Sequence, residues 1–390
     1  MSDNVTEIGL EAAPAPKGLG KKVAAMIASV LLVCGVLALV LFGDSLNVDN
    51  LRRWVKYMNV KDNEGTGTYS FDSHSSNRYD TFADGLVVAS VSGMNTFDEN
   101  GGERYVLQQQ MALPNLQVSG NLAMVYDVGG NVLSVLHERN GEVLRLEDSR
   151  AILDADLSSG GFICLSSSAS GYKSVLSVYN DQQELIYRWL SSTTYIPQCA
   201  ISPDGKLLTA VGLGQNGGTF ESSLLFFRTD SEDIQNVVSL GSDLIYDLYF
   251  EDSDTICVVG ETGVKCLNLK GELLGEYLYE EPYLKDFDAG GNGFLTLSVN
   301  TYRAGNRYSL VTVDKKGQRI AGTYIGQEIL SLSACGRYIA VLTAEGLTIY
   351  TQNLSVYDQT IETGNATDVV MREDGSVLLL GNGQGRLYIP

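Results

Sequence analysis

The side chains best suited to chemistry are few in this sequence, and their spacing assembles none of the common catalytic sets. The only histidines are His74, in the polar stretch DSHSSN, and His137, directly after LSVL. Each reads as a solvated or hydrogen-bonded imidazole rather than a general base. No HExxH, GxSxG or Walker loop is present, and no GxGxxG links a strand to a helix. The acids Glu280, Glu281 and Asp286 are the strongest candidates for hydrolase or lyase chemistry. Adjacent acids on a strand project to opposite faces, and nothing in the sequence sets their pKa values apart as an acid–base pair requires. The oxygen-rich run DFDAGGNG (286–293) resembles a cation loop in composition but has Leu297 where a bidentate Glu would close the shell, so it reads as a turn. No catalytic residue, metal or cofactor is expected.

Of the six cysteines, Cys34 lies in an apolar run, and Cys164, Cys199, Cys257, Cys266 and Cys335 have no zinc-motif spacing. Cys257 and Cys266 are the notable pair. If CVVGETGVKC folds as a hairpin centred on Glu261–Thr262, they stand opposite each other at a non-hydrogen-bonded site. Their Cα atoms would then be about 4.5 Å apart, within disulfide reach. Two reduced thiols acting as small apolar side chains are the alternative.

Binding chemistry is better represented. Tyr172, Phe220, Tyr302 and Arg303 fall in segments rich in Gly, Ser and Asn, and Tyr195, Tyr279 and Tyr283 in STTYIPQ (192–198) and EYLYEEPYLKD (276–286), which add aromatics and acids. Rigid amphipathic rings on loops suit recognition of a protein or a glycan.

Three kinds of element must position these residues. Residues 23–43, VAAMIASVLLVCGVLALVLFG, carry no charge. At about 1.5 Å per residue they span roughly 31 Å, the thickness of a bilayer's hydrocarbon core, so a transmembrane helix is expected there. The basic residues flanking it balance, but Lys21–Lys22 abut one end and Asp44 the other, which favours a cytoplasmic tail over residues 1–22 and export of everything beyond. Residues 44–65 form a connector, in which Leu51, Trp54, Val55 and Met58 trace one face of a helix. It reads either as a basic interfacial helix anchored by Trp54 or as a spacer.

From residue 66 to 390 the helical period gives way to short apolar strands separated by Gly, Asn and Asp turns. One motif recurs, a strand, a tight turn and a strongly apolar strand, as in ISPDGKLLTAV (201–211) and SACGRYIAVL (333–342). Gly85, Gly120, Gly160, Gly205, Asp254, Gly291, Gly336 and Gly375 mark it at spacings of 35 to 49. Eight units of about forty residues have the period of four-stranded propeller blades, whose sheets bury both faces only by stacking in a ring. The last unit, ending at GRLYIP, is one strand short, and an orphan candidate, GTYSFDS (67–73), precedes the first. An all-β, eight-bladed propeller closed by that N-terminal strand is expected, with seven blades if 79–115 is irregular. Stacked sandwiches would explain neither the eight turns nor the complementary ends. The segments 166–174, 212–223 and 298–309, between the second and third strands of their units, read as long loops on one rim of this ring.

SPDGKLL (202–208), with Ser202, Pro203, Asp204, Gly205 and Lys206, resembles the repeat of exported TolB-type and YVTN-type propellers. The Trp-Asp ending of WD repeats is absent. The whole layout, anchor and degenerate blades, resembles an uncharacterised family of single-pass membrane propellers of Gram-positive bacteria. That resemblance implies a fold and a location and carries no site residues.

Charge excludes one large class of partner. With 27 Lys+Arg against 47 Asp+Glu the net charge is −20, and the acids and lysines of residues 1–22 cancel, so residues 44–390 carry all of it. Nucleic acid is not expected as a partner. The expected partners are the lipid bilayer, through residues 23–43, and an envelope protein or glycan. An envelope sensor signalling through the helix and a glycan-active hydrolase or lyase are the alternatives.

Overall fold

Alternation of apolar and polar residues, broken every six or seven positions by a turn, yields 32 strands among the described residues. The computed structural model describes Met26, Ser29, residues 68–147 and residues 150–390. The expected transmembrane helix and connector lie outside the described residues, save for Met26 and Ser29, which are helical. The chain divides into two units, Met1–Val60 and Lys61–Pro390, and every strand belongs to the second.

The strands form eight antiparallel four-stranded sheets. Seven are built from consecutive strands, covering 78–108, 114–147, 152–191, 195–241, 245–278, 283–325 and 329–360. The first of these sheets has all four strands, which decides for eight blades over seven. The eighth combines β30 (Asp368–Met371), β31 (Val377–Gly381) and β32 (Gln384–Tyr388) with β1 (Tyr69–Ser70), in the order β1-β32-β31-β30. Tyr69 pairs with Gly385 and Ser70 with Gln384, so the N-terminal strand closes the ring as the missing fourth strand. All eight marker residues fall at or beside the turn between the first and second strands of a blade.

Apolar packing follows the blade interfaces. Eight clusters of buried residues are present among the described residues, each drawn from two neighbouring sheets. Stacking in a ring therefore covers both faces of each sheet, which no single twisted sheet could do. At the closure, Tyr69 is fully buried with Leu86, Phe97, Leu378 and Leu380, its ring edge-on to Phe97 with centroids 5.9 Å apart. Arg372 Nη2 donates to the Asp84 carbonyl across the same seam (2.6 Å).

Glycine matters most where adjacent blades touch through their turns. A Cβ at Gly160 would lie 1.9 Å from the Pro203 carbonyl oxygen of the next blade. Gly160→Ala is expected to destabilise the propeller by roughly 1–3 kcal/mol, because backbone rather than a movable side chain fills the space. A lowered denaturant midpoint with an unchanged slope is the expected readout.

Two of the three expected rim loops are not loops. Residues 166–174 and 212–223 continue as paired strands. In the third blade β11 (Ile163–Ala169) meets β12 (Tyr172–Tyr179) across Ser170–Gly171. In the fourth, β15 (Leu207–Asn216) meets β16 (Thr219–Arg228) across Gly217–Gly218. Both Gly217 and Gly218 have positive φ (60° and 86°), which permits a two-residue hairpin turn with full pairing on either side. Only 301–307, in the sixth blade, is a true loop.

Candidate functional site

In an antiparallel blade, each first strand starts on the end of the ring that also carries the second-to-third strand turns. That end holds Tyr172, Tyr195, Phe220, Tyr283, Tyr302 and Arg303. Contacts tie several of them together. Lys173 Nζ lies 4.8 Å from the Tyr195 ring centroid, and Lys285 Nζ lies 5.8 Å from that of Tyr283 while donating to the Arg303 carbonyl at 2.6 Å. Tyr195 and Tyr302 are both 54% exposed. Tyr279 differs from the expectation. Its hydroxyl donates to the Gly260 carbonyl (3.0 Å) and its ring packs on the core between the fifth and sixth blades, so it supports the scaffold instead of the surface.

The innermost strands carry a feature that had no counterpart in the sequence pattern. In five consecutive blades the pairing register shifts near the start of the first strand. The strands are β10 (Ile152–Leu157), β14 (Tyr195–Ile201), β18 (Ile245–Phe250), β22 (Tyr283–Asp288) and β26 (Ile329–Cys335). The shifts fall between Ile152 and Asp154, Tyr195 and Gln198, Ile245 and Asp247, Leu284 and Asp286, and Ile329 and Ser331. A bulge leaves an unpaired residue and re-aims its neighbours. Tyr246, Lys285 and Leu330 are such residues, and all three are exposed at the loop-bearing end. Tyr246, 42% exposed, joins Tyr195 and Tyr283, so three successive inner strands each carry an exposed tyrosine in their first two residues.

Polar side chains also secure the inner edges of several sheets. An edge strand presents N–H groups without ladder partners, a liability that must be covered. At four junctions one blade's inner strand covers the next: the second the third, the third the fourth, the sixth the seventh and the seventh the eighth. Asp154 Oδ2 accepts from Cys199 N and Asp156 Oδ2 from Ile201 N, both at 2.9 Å. Gln117 Oε1 accepts from Leu157 N (2.8 Å), and the Ser331 and Ser333 hydroxyls accept from Val369 N and Met371 N (3.1 and 3.0 Å). Asp286 and Asp288 accept the Leu332 and Ala334 N–H groups in the same way.

These carboxyls are only partly exposed. Burial pushes Asp80, Asp154 and Asp156 up to about 7, against the opposing pull of their backbone hydrogen bonds. Burial likewise lifts Asp247 and Asp286 to about 6 and raises Asp288. Carboxylates add to the effect: Asp288 acts on Asp80, and Asp247 acts on Asp154 and Asp156. The D-x-D spacing in ILDADL and YLKDFD, three or four residues before a marker turn, was the available sequence signal.

The remaining candidates are engaged structurally. Of the 286–293 run, 286–288 end β22 and only 289–293 turn, with Asp288 Oδ1 accepting from Gly290 N (2.6 Å). No cluster of three or more His, Cys, Asp or Glu able to hold a metal occurs among the described residues. His137 Nδ1 accepts from Arg139 N (3.0 Å) and Nε2 meets the Asn121 side chain (2.9 Å). Glu280 pairs with Arg319, and Glu281 lines a pocket of about 140 Å³ beside that pair. Cys257 and Cys266 are opposite in register, as expected, with unbonded sulfurs 3.0 Å apart.

Eight four-stranded sheets in a closed ring define a β-propeller. Two solved structures agree at the level of fold. The C-terminal WD40 domain of Sif2 superposes with a TM-score of 0.57 at 12% identity, covering 84% of this chain and 98% of that one. The Dos1 propeller gives a TM-score of 0.57 at 10% identity, covering 82% and 94%. No curated protein matches the sequence. Residues 56–382 match the family of unknown function DUF5711, and the chain belongs to that family.

Proposed function

We propose that this propeller is the binding or scaffolding module of a single-pass membrane protein, held outside the cell by residues 23–43 with its N-terminus in the cytoplasm. The loop-bearing end takes an envelope protein or glycan, and the module has no catalytic role. The observation that carries this reading is the run of bulged inner strands, which bring Tyr195, Tyr246 and Tyr283 to one end with their rings exposed. Exposed rings mounted on strands offer contact area with little entropy to lose, the usual character of binding hot spots. The uncharged run of residues 23–43 supports the anchor, and the SPDGKLL repeat, resembling that of exported propellers, supports placement outside.

The triple variant Tyr195→Ala, Tyr246→Ala, Tyr283→Ala tests the binding face. None of these rings belongs to a core cluster, so the thermal midpoint should stay within a few degrees, while affinity for the captured partner falls at least tenfold. Undiminished capture by the folded variant would refute the assignment.

A further inference from the structure

Two pairs of thiols face each other inside the propeller, and only one is visible from the sequence. Cys257 and Cys266 share a hairpin. The other pair joins different blades: Cys164 lies on β11 of the third blade and Cys199 on β14 of the fourth, with sulfurs 3.3 Å apart. Both side chains are buried in the cluster that binds those two blades together. Of the five described cysteines, only Cys335 has no sulfur partner of this kind.

We propose that Cys164 and Cys199 form a disulfide that staples the third blade to the fourth. From 3.3 Å the sulfurs must close to about 2.05 Å, a movement of roughly 1.3 Å that small χ1 rotations of two short side chains supply. The oxidant is an organic disulfide such as oxidised glutathione. One cysteine thiolate attacks a glutathione sulfur, expelling one glutathione thiolate and leaving a mixed disulfide. The second cysteine thiolate then attacks the protein sulfur of that bond and expels the other glutathione. Two protein thiols lose two protons and two electrons in all, and one glutathione disulfide becomes two thiols.

Burial governs when this happens. Loss of water pushes the Cys164 thiol well up and the Cys199 thiol up, and the carboxylates of Asp154 and Asp156 act in the same direction. Thiolate is therefore scarce in the folded protein, and glutathione has no path to the cluster. The bond forms as the fourth blade docks on the third during folding, and afterwards the same burial shields it from reductant. This bond is independent of the proposed binding role, since it involves only the chain's own thiols.

The test uses the full chain in detergent, with Cys257→Ala and Cys266→Ala introduced so that one pair remains. The protein is unfolded and refolded in a mixture of reduced and oxidised glutathione, then alkylated and digested without reductant. The expected product is a Cys164 peptide linked to a Cys199 peptide, with Cys335 alkylated. Closing a 35-residue loop should raise the thermal midpoint by roughly 5–10 °C over the reduced sample. Reductant should remove that gain only when denaturant is also present. If the double variant does not refold, the same peptide map on the unsubstituted chain decides. Refolded protein in which both Cys164 and Cys199 carry the alkyl label, or in which Cys164 links to a different cysteine, overturns the proposal.

Discussion

Deleting residues 68–73 is expected to unfold the propeller or leave it open between its eighth and first blades. The segment contributes only two ladder residues, Tyr69 and Ser70, together with the Phe71 N–H donated to Gly383 (2.9 Å). Its weight lies in packing. Tyr69 has no exposed surface and joins both sides of the seam, Phe97 and Leu86 on the first blade and Leu378 and Leu380 on the eighth. Truncating a buried aromatic of this size costs about 3–5 kcal/mol, against a total stability of about 5–15 kcal/mol for a folded domain. Tyr69→Ala alone should therefore lower the melting temperature by roughly 10 °C. The full deletion also strips β32 of its outer partner and leaves a bare sheet edge, so aggregation should accompany the loss of fold. Tyr69→Phe, which keeps the ring, should stay close to the parent. A deletion variant melting within two or three degrees of the parent would mean that the ring closes by other means.

The second large effect is a stability that rises as pH falls, the reverse of ordinary acid denaturation. Asp80, Asp154 and Asp156 sit at about 7 in the fold, whereas an unfolded chain returns each to about 3.8. Between those values the folded state binds more protons than the unfolded one, so stability declines with rising pH across that window and is lowest above pH 7. Each such carboxyl is worth roughly 2 kcal/mol between pH 8 and pH 5, so the propeller should melt several degrees higher at pH 5. Relief of the repulsion within a chain of net charge −20 acts in the same direction, and one substitution separates the two effects. Asp156→Asn keeps an oxygen for the Ile201 N–H but cannot ionise. It should stabilise the protein at pH 8, change little at pH 5 and flatten the profile between them. A melting temperature that climbs from pH 5 to pH 8 would contradict the assignment of these carboxyls.

Repetition made the architecture legible. A Gly or Asp turn is required wherever the first strand of a blade hands over to the second, so eight such turns at similar spacing counted the blades before any contact was known. The closure was readable as a deficit, because a unit ending at GRLYIP lacks a strand and only 67–73 could supply one. Local reading failed where pairing overrides composition. The Gly, Ser and Asn of 166–174 and 212–223 look like loops, yet paired strands run to within two residues of each tip. Tyr279 follows the same logic. It sits in a polar segment, but its place beside a blade interface turns the ring inward. The bulges and the Cys164–Cys199 contact had no sequence signature. Both arise from how one blade lies on the next, and residues 35 apart in the chain meet only once the ring is assembled.

The face on which a partner is taken can be read most directly by site-specific photo-crosslinking in intact cells. A benzophenone amino acid is placed at Tyr195 or Tyr283 on the loop-bearing end, and at Asn140, exposed in the turn between the third and fourth strands of the second blade at the opposite end. The same adduct is expected from positions 195 and 283, with none from 140. Adducts formed through 140 while 195 and 283 stay silent would contradict a binding face at the loop-bearing end.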